Sequence, residues 1–307
     1  MGQGILILSF DCEGKWGFVD HLSEYHHRHL TNTNLKNVYR RLLGLLSQYN
    51  IAATFAFTAA FTLSPDEYFE NRNWFGKMKF DGNSWLQNFS REMELKKYDG
   101  WFCSEIFNGV KDCRIHELAS HGFTHIPFAE SLVSYDDIMY ELAMVKKIAL
   151  LKGVVNHTFV FPRNHVGFAD LLKQYGFIGY RDGLMMGKKL ISFRNFMNEL
   201  NLLQNAQRGI IADGIVKIPS GYFLNWQVGL RKRVPCGITK LRWRHIIEDA
   251  IKQNRVVHLW MHPHNLITGG DAQWQLLESI LHICSAYLKR GNLVNMTQEQ
   301  YCNFLYE

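Results

Sequence analysis

The feature that most constrains the fold is a repeated alternation of short apolar runs with segments of helical periodicity. Ile5–Phe10 is a largely apolar run of strand length, and Asn34–Gln48 then carries leucines at helical spacing. Ile51–Phe57 follows as a second apolar run. Such strand–helix–strand units favour parallel strands with right-handed crossovers. Repeated over 307 residues, they predict an α/β protein built as a (β/α) barrel.

The rest of the chain repeats this order. Helices are predicted at Tyr135–Leu151, Ala169–Tyr175, Arg242–Gln253, Asp271–Arg290 and after Thr297, and strands at His157–Pro162, Phe177–Arg181, Val256–Met261 and Leu293–Met296. The aromatic and polar segment 64–99 favours an inserted helical excursion or lid, whereas 182–216 gives no clear pattern. No linker, repeat or low-complexity tract divides the chain, so residues 1–307 are predicted to form a single domain.

Bulk composition limits the class of protein. The content of 47% hydrophobic and 20% charged residues is ordinary for a soluble globular chain. A net charge of +6 is too small to indicate nucleic acid without a known motif. It would suit an anionic, phosphate-linked substrate, but solubility alone explains it equally well. The six cysteines lack a CxxC pair, which favours reduced thiols.

Two further observations concern location. We recognise neither a signal peptide nor an apolar run long enough to cross a bilayer, so we expect a cytoplasmic protein. A basic cluster could contact phosphate or anionic lipid headgroups, which would allow a peripheral membrane contact, although a solvated face is the more ordinary interpretation. Its members are Arg231, Lys232, Arg233, Lys240, Arg242 and Arg244.

Side chains that could carry chemistry stand where predicted strands end. His121 and His125 are four residues apart, and one helical turn between them would point both imidazoles the same way. Imidazole is the commonest protein ligand for zinc-like metals. Asp11 and Glu13 end the first strand at i and i+2, so they share a face. Because parallel strands of a barrel end at one mouth, we expect a mononuclear metal site there.

The chain resembles the polysaccharide deacetylase family, the nodulation-deacetylase homology group of carbohydrate esterases (family 4-like). Four ordered segments carry the resemblance: Ser9-Phe10-Asp11-Cys12-Glu13, His121-Gly122-Phe123-Thr124-His125, Phe161-Pro162-Arg163-Asn164 and Leu259-Trp260-Met261-His262. Each alone would be weak, but four in the family's order form a specific signal. The resemblance implies a distorted (β/α) barrel with inserted loops and helices, and it fits least well at 64–99 and 182–240.

The resemblance also implies roles for single residues. One carboxylate of the first segment serves as the base, and another binds a divalent metal, expected to be zinc, together with His121 and His125. Arg163 corresponds to the arginine that holds the base, although a surface arginine after a proline is a fair alternative. His262 corresponds to the general acid, a role that suits imidazole because it titrates near neutral pH.

The first segment departs from the commonest family pattern. Two adjacent aspartates are usual, whereas this chain has Asp11-x-Glu13, which resembles a cytoplasmic branch of the family. Because strand alternation puts Asp11 and Glu13 on one side, we assign Glu13 to the metal and Asp11 to the base. Cys12 as a thiolate ligand is the alternative, but a buried small hydrophobe is its more ordinary role.

Several neighbours compete with these assignments. His258 and His264 lie close to His262 in the sequence, and we expect His258 in the core and His264 in the following loop. Trp16 and Trp260 are the tryptophans best placed to meet a sugar ring, although most tryptophans are simply packed.

These parts together predict a metal-dependent N-deacylase acting on an amino sugar. An amide carbonyl is a poor electrophile, so its hydrolysis needs polarisation, an activated water, a base and an acid for the leaving amine. The resemblance, together with the missing export signal, implies removal of an acetyl or formyl group from a nucleotide- or lipid-linked sugar during lipopolysaccharide or capsule biosynthesis. Two alternatives stay open: an amidohydrolase acting on a non-sugar amide, and a non-catalytic carbohydrate-binding relic of the fold.

Overall fold

This computed structural model describes residues 2–76, 78–183, 205–224 and 232–307, whose strands and helices we number in chain order. The strands are β1 (Gly4–Cys12), β2 (Thr54–Phe57), β3 (Lys79–Phe80), β4 (Asn83–Ser84), β5 (Glu117–Ser120), β6 (Thr158–Val160), β7 (Gly179–Arg181), β8 (Ile210–Ala212), β9 (Ile215–Ile218), β10 (Tyr222–Phe223), β11 (Val256–Met261) and β12 (Leu293–Asn295). The helices are α1 (Glu24–His29), α2 (Asn32–Tyr49), α3 (Pro65–Glu70), α4 (Gln87–Glu94), α5 (Ser104–Asp112), α6 (Tyr135–Leu151), α7 (Ala169–Gln174), α8 (Cys236–Gln253), α9 (Asn265–Thr268), α10 (Gly270–Lys289) and α11 (Gln298–Tyr306).

The main sheet runs in the order β10-β11-β1-β2-β5-β6-β7-β9-β8, and β12 also pairs with β1. Its pairings are parallel except for the last, between β8 and β9. In the described part of the chain, β10 and β8 do not pair, so the curled sheet is a half-barrel. This confirms the predicted distorted (β/α) barrel, and it brings the carboxyl ends of its parallel strands to one mouth.

Local sequence explains the elements that form this frame. β1 is buried along almost its whole length, which is expected of a parallel strand covered on both faces. Helix α2 begins after Thr31, whose side chain accepts a hydrogen bond from the Asn34 N–H, and ends at Asn50 in the left-handed conformation. Its buried leucines pack into the main core.

The predicted boundaries agree best where the pattern is strongest. Helix α6 and strand β11 have the predicted bounds, whereas α8 begins at Cys236, well before the predicted start at Arg242. The predicted insert, 64–99, folds as two short helices, α3 and α4, with the β3–β4 hairpin between them. Because β3 and β4 have only two residues each, they are too short to show the alternation of apolar and polar residues from which a strand is predicted. Much of 182–216 lies outside the described residues.

The basic cluster does not form one continuous solvated face. Arg231 lies outside the described residues, and Arg242 is buried in α8 with its guanidinium near the Trp243 ring. Lys232, Arg233 and Arg244 are exposed. Among the helices of the described residues, none combines the length and the hydropathy of a membrane-crossing segment.

Candidate metal centre

The acidic and imidazole side chains at the strand ends meet at the barrel mouth. Glu13 follows β1, and its Oε2 lies 2.8 Å from His125 Nε2 and 3.4 Å from His121 Nε2. His262 follows β11, and its Nε2 lies 3.6 Å from Glu13 Oε1 and 3.8 Å from Asp11 Oδ2. All five predicted groups therefore share one site, although they come from widely separated parts of the chain.

The connection between the two histidines is not the helical turn that we expected. β5 ends at Ser120, and the chain then passes through Gly122 at φ 78° and His125 at φ 65°, both left-handed. The reversal of the backbone turns the imidazoles toward each other, with ring centroids 4.8 Å apart. A Cβ at position 122 would lie only 3.0 Å from Glu141 Oε1, so glycine fits both the conformation and the space.

A buried carboxyl group of α6 holds this loop. Glu141 Oε1 accepts hydrogen bonds from the backbone N–H groups of Phe123 and Thr124, each at 2.7 Å, and its Oε2 accepts one from the Thr124 hydroxyl at 3.0 Å. Burial raises the pKa of Glu141 to about 7, although these three donors oppose the rise. Glu141 thus fixes the backbone between the two histidines.

The donor atoms fit a metal ion. His121 Nδ1 lies 2.8 Å from the Val160 carbonyl oxygen, to which it donates, so its Nε2 presents a lone pair toward Glu13. Within the described residues, Glu13 Oε2, His121 Nε2 and His125 Nε2 are buried yet make no hydrogen bond of acceptable geometry. Buried polar atoms without partners are rare, and a cation among these three would satisfy them. Two imidazole nitrogens and one carboxylate oxygen suit an ion of the zinc type.

The electrostatics favour the protonation states that ligands need. Burial would raise the pKa of Glu13, but the nearby His262 and His125 hold it well below its ordinary value. Burial lowers the pKa of His125, although the Glu13 carboxylate opposes this. An anionic carboxylate and a neutral imidazole are the forms that bind a cation.

Arg181, at the end of β7, is the residue that the sequence analysis missed. Its Nη1 and Nη2 donate to Asp11 Oδ1 and Oδ2 at 2.8 and 2.7 Å. Burial would raise the pKa of Asp11, but the charges of Arg181 and His121 and the Arg181 hydrogen bonds keep it below its ordinary value. A charged residue ending an otherwise apolar strand was the available signal.

The prediction that Arg163 holds Asp11 is therefore wrong. Arg163 lies after Pro162 in a left-handed conformation at φ 55°, and its guanidinium forms an ion pair with Asp20, in the loop after β1. Its Cζ lies 5.3 Å from the Trp85 ring centroid. Burial would raise the pKa of Asp20, but hydrogen bonds from Arg163 and His21 lower it to about 2.

A buried network supports Arg181 from below. The Trp260 ring lies under its guanidinium, with Cζ 4.2 Å from the ring centroid. His258 Nδ1 donates to the Pro219 carbonyl at 2.7 Å, so its Nε2 accepts from the Ser9 hydroxyl at 2.8 Å. Burial lowers the pKa of His258 to about 3, which keeps it neutral. His258 is thus a core histidine, as predicted.

Neither predicted tryptophan can present a free face to a substrate. Trp16 is fully buried, and its Nε1 donates to the Trp101 carbonyl at 2.8 Å. Trp260 is 3% exposed because Arg181 and Phe223 cover its ring. Both expectations are corrected for the same reason: these rings serve as packing beneath the mouth. The His262 side chain is the most open of the central groups, with 23% exposure.

Two further features border the site. His264 lies in the loop after β11, as predicted, and it is buried there and stacks on His262, with ring centroids 5.0 Å apart. A cleft of about 320 Å³ lies between the insert and the loop after β1. It is lined by Val19, Asp20, Phe80, Asp81, Asn83, Ser84, Trp85, Gln87 and Asn88. Trp85 Nε1 donates to the Thr124 carbonyl at 3.1 Å, which ties the cleft to the histidine loop.

Comparison with known proteins supports the fold. No family model and no curated protein matches the sequence. A “putative polysaccharide deacetylase” from Mycobacterium smegmatis is 15% identical with a TM-score of 0.63, over 99% of this chain and 91% of that one. A “probable polysaccharide deacetylase” from Pseudomonas aeruginosa is 11% identical with a TM-score of 0.55, over 97% and 89% of the two chains.

A third similar structure limits what the fold alone implies. It is a 4-alpha-glucanotransferase from Thermococcus litoralis, 13% identical with a TM-score of 0.52, over 99% of this chain but 40% of that one. The resemblance that the four segments indicated is thus confirmed at the level of the fold. Because one fold can host different reactions, the activity must be argued from the site.

Proposed function

We propose that this chain is a metal-dependent N-deacylase that hydrolyses the amide of an acylated amino sugar. The observation that carries the proposal is the convergence of Glu13, His121 and His125 on one point, with Asp11 and His262 beside it. Similarity to the deacetylase fold makes this reaction the first one to consider, and the site supplies the groups that amide hydrolysis needs.

Glu13, His121 and His125 would hold a divalent ion of the zinc type. When bound, such an ion supplies a Lewis acid that polarises the amide carbonyl and acidifies a water molecule. Asp11 accepts the proton of the attacking water. Because Arg181 keeps the pKa of Asp11 low, Asp11 is ionised at neutral pH but is a weak base, so it depends on an acidified water.

His262 serves as the acid for the leaving amine. An amine that leaves without a proton is a poor leaving group, so the tetrahedral intermediate would return to substrate. His262 Nε2 lies within 4 Å of both carboxylates, 3.8 Å from Asp11 Oδ2 and 3.6 Å from Glu13 Oε1. It can therefore reach the reacting amide from the more exposed side of the site.

The cleft beside the insert would hold the rest of the sugar. Its amide and carboxylate side chains, such as Asn83, Gln87 and Asp81, are suited to hydroxyl groups. We further propose that the acyl group transferred to water is acetyl or formyl, and that the substrate is a nucleotide- or lipid-linked sugar of lipopolysaccharide or capsule biosynthesis. A cytoplasmic location suits the six free cysteines.

Paired metal and activity measurements test the function. His125→Ala and Glu13→Gln should each lose zinc by elemental analysis and, in the same preparations, lose amine release from N-acetylated and N-formylated amino sugars, free or nucleotide-linked. The exposed His282→Ala is the matched control and should keep both. Full turnover by a zinc-free variant contradicts the proposal, and turnover of small cyclic amides alone would favour the non-sugar alternative. Zinc uptake without any turnover would favour the non-catalytic relic.

A further inference from the structure

We infer that a second divalent cation binds on the other side of Glu13, held by Glu13 Oε1, His262 and His264. The two oxygens of the Glu13 carboxylate face different pairs of histidines. Oε2 faces His121 and His125, whereas Oε1 lies 3.6 Å from His262 Nε2 and 3.9 Å from His264 Nδ1. Glu13 would then bridge two ions.

The spacing of the donor atoms fits one ion on each side. Bonds of about 2.0–2.2 Å in a tetrahedral site separate ligand atoms by roughly 3.3–3.6 Å. The separations on Oε1, 3.6 and 3.9 Å, lie at the upper end of this range and just above it. On Oε2, the 3.4 Å separation lies within the range, whereas the 2.8 Å separation is shorter. In each group of three, the ligand atoms lie within 4.8 Å of one another.

His264 has no part in the proposed reaction, yet it is built into the site. It is 8% exposed, stacks on His262 and meets the Phe18 ring edge-on at 5.3 Å. Its Nδ1 is directed at a carboxylate that already faces three other imidazoles. A second cation accounts for this arrangement.

Charge predicts that the two ions bind unequally. Arg181 already neutralises Asp11, so two divalent ions would share chiefly the charge of Glu13 and repel each other. The second ion should therefore bind roughly tenfold or more weakly than the first. Once bound, it occupies His262 Nε2, which can then no longer donate a proton. Excess metal should thus inhibit hydrolysis, a consequence that rests on the proposed function, whereas the binding itself does not.

Calorimetric titration of Zn²⁺ into the metal-free full-length chain tests the binding. The wild type should take up two equivalents, with dissociation constants at least about tenfold apart. His264→Asn should take up one, with the affinity of the first site changed less than threefold. His29→Asn, in the histidine-rich helix α1, is the matched control and should take up two. One equivalent in the wild type overturns the inference without any variant, as do two in a folded His264→Asn.

Amine release at increasing Zn²⁺ separates this inference from the proposed function. The wild type should gain activity with the first equivalent and lose at least about half with the second, because the metal occupies the acid. His264→Asn should keep whatever activity it has at excess Zn²⁺. Two equivalents with no amine release at any Zn²⁺ would contradict the function and leave the second site standing. Binding of two equivalents of Zn²⁺ with no loss of amine release would contradict the predicted inhibition by the second ion.

Discussion

Among the side chains around Asp11, Arg181 does most to lower its pKa. Arg181 donates to both of its carboxylate oxygens in a buried setting, and that geometry is specific to a planar guanidinium. A lysine at position 181 would keep the positive charge but could not make the same paired contact. The ionised state of Asp11 at neutral pH thus depends on the shape of its partner as well as its charge.

We predict that Arg181→Lys moves the acidic limb of the kcat/KM profile to higher pH. Asp11 must be ionised to act as a base, and Arg181 lowers its pKa, so a weaker partner lets that pKa rise. The expected displacement is about one pH unit. The measurement is amine release from pH 4 to 9, with Arg163→Lys as the matched control because Arg163 pairs with Asp20. An acidic limb that moves in Arg163→Lys but not in Arg181→Lys would contradict the assignment.

The comparison of these two arginines shows what the sequence could predict at the scale of one residue. Strand-end position was enough to predict that Asp11, Glu13 and His262 lie together at the barrel mouth, where the carboxyl ends of parallel strands meet. It could not decide between Arg163 and Arg181, since Arg163 lies just after β6 and Arg181 ends the neighbouring strand, β7. Arg163 is turned away by a left-handed backbone conformation that its sequence does not require.

At the scale of an element, the geometry of the proposed metal site depends on how α6 packs against the histidine loop, the segment 121–125. Glu141 is fully buried, and its two oxygens accept the three hydrogen bonds that hold Phe123 and Thr124. This is a carboxyl group that burial makes harder to ionise, so its protonation and the stability of the fold must be linked.

Glu141→Gln should remove a pH dependence of stability. The pKa of Glu141 is about 7 in the folded chain and near 4.5 when unfolded, so between these values the folded chain holds a proton that the unfolded chain has released. Stability contributed by this proton is present below pH 4.5 and lost as pH rises to 7, by up to about 3 kcal/mol.

Denaturant unfolding of wild type and Glu141→Gln at pH 5, 6 and 7 measures this effect. Glutamine keeps the shape and cannot titrate, so the free energy of unfolding of the wild type should fall relative to the variant as pH rises. The exposed Glu70→Gln, on α3, is the control and should leave the wild-type pH dependence unchanged. A constant difference between wild type and Glu141→Gln from pH 5 to 7 would contradict the linkage.

The insert between β2 and β5 supports a separate prediction about substrate binding. Asn83 lies on the β3–β4 hairpin and lines the cleft, away from the ligands of the metal site. Asn83→Ala should raise KM by roughly 2- to 10-fold with little change in kcat, because it removes about one hydrogen bond to substrate. Steady-state amine release measures both constants, with exposed Asn303→Ala on α11 as control. A fall in kcat at unchanged KM would argue that the cleft does not bind the sugar.

At the scale of the whole molecule, the barrel was predictable because its strands are apolar runs of strand length that alternate with helices. β1 and β11 lie side by side with Phe10 opposite Met261, although they stand at opposite ends of the chain. Strands that follow one another along the chain are usually neighbours in a sheet, which accounts for the run β1-β2-β5-β6-β7. The burial of Trp16 and Trp260 could not be predicted from the sequence. It depends on how the insert covers Trp16 and how Arg181 covers Trp260. Periodicity does not report such contacts.

Metal binding should also stabilise the whole fold. The ligands come from the end of β1 and from the loop after β5, two strands separated in the sheet by β2, so a shared ion cross-links them. An ion at 1,000 times its dissociation constant adds about 4 kcal/mol to the free energy of unfolding. For a chain of this size, that is on the order of 10 °C in Tm.

The Tm measured with zinc should therefore exceed the Tm measured with a chelator by that amount in the wild type and in Glu70→Gln. In Glu13→Gln the two Tm values should hardly differ. Because protons compete with a metal ion for its ligands, the difference should shrink as pH falls. Equal midpoints with zinc and with chelator at neutral pH would mean that the three side chains do not bind one ion.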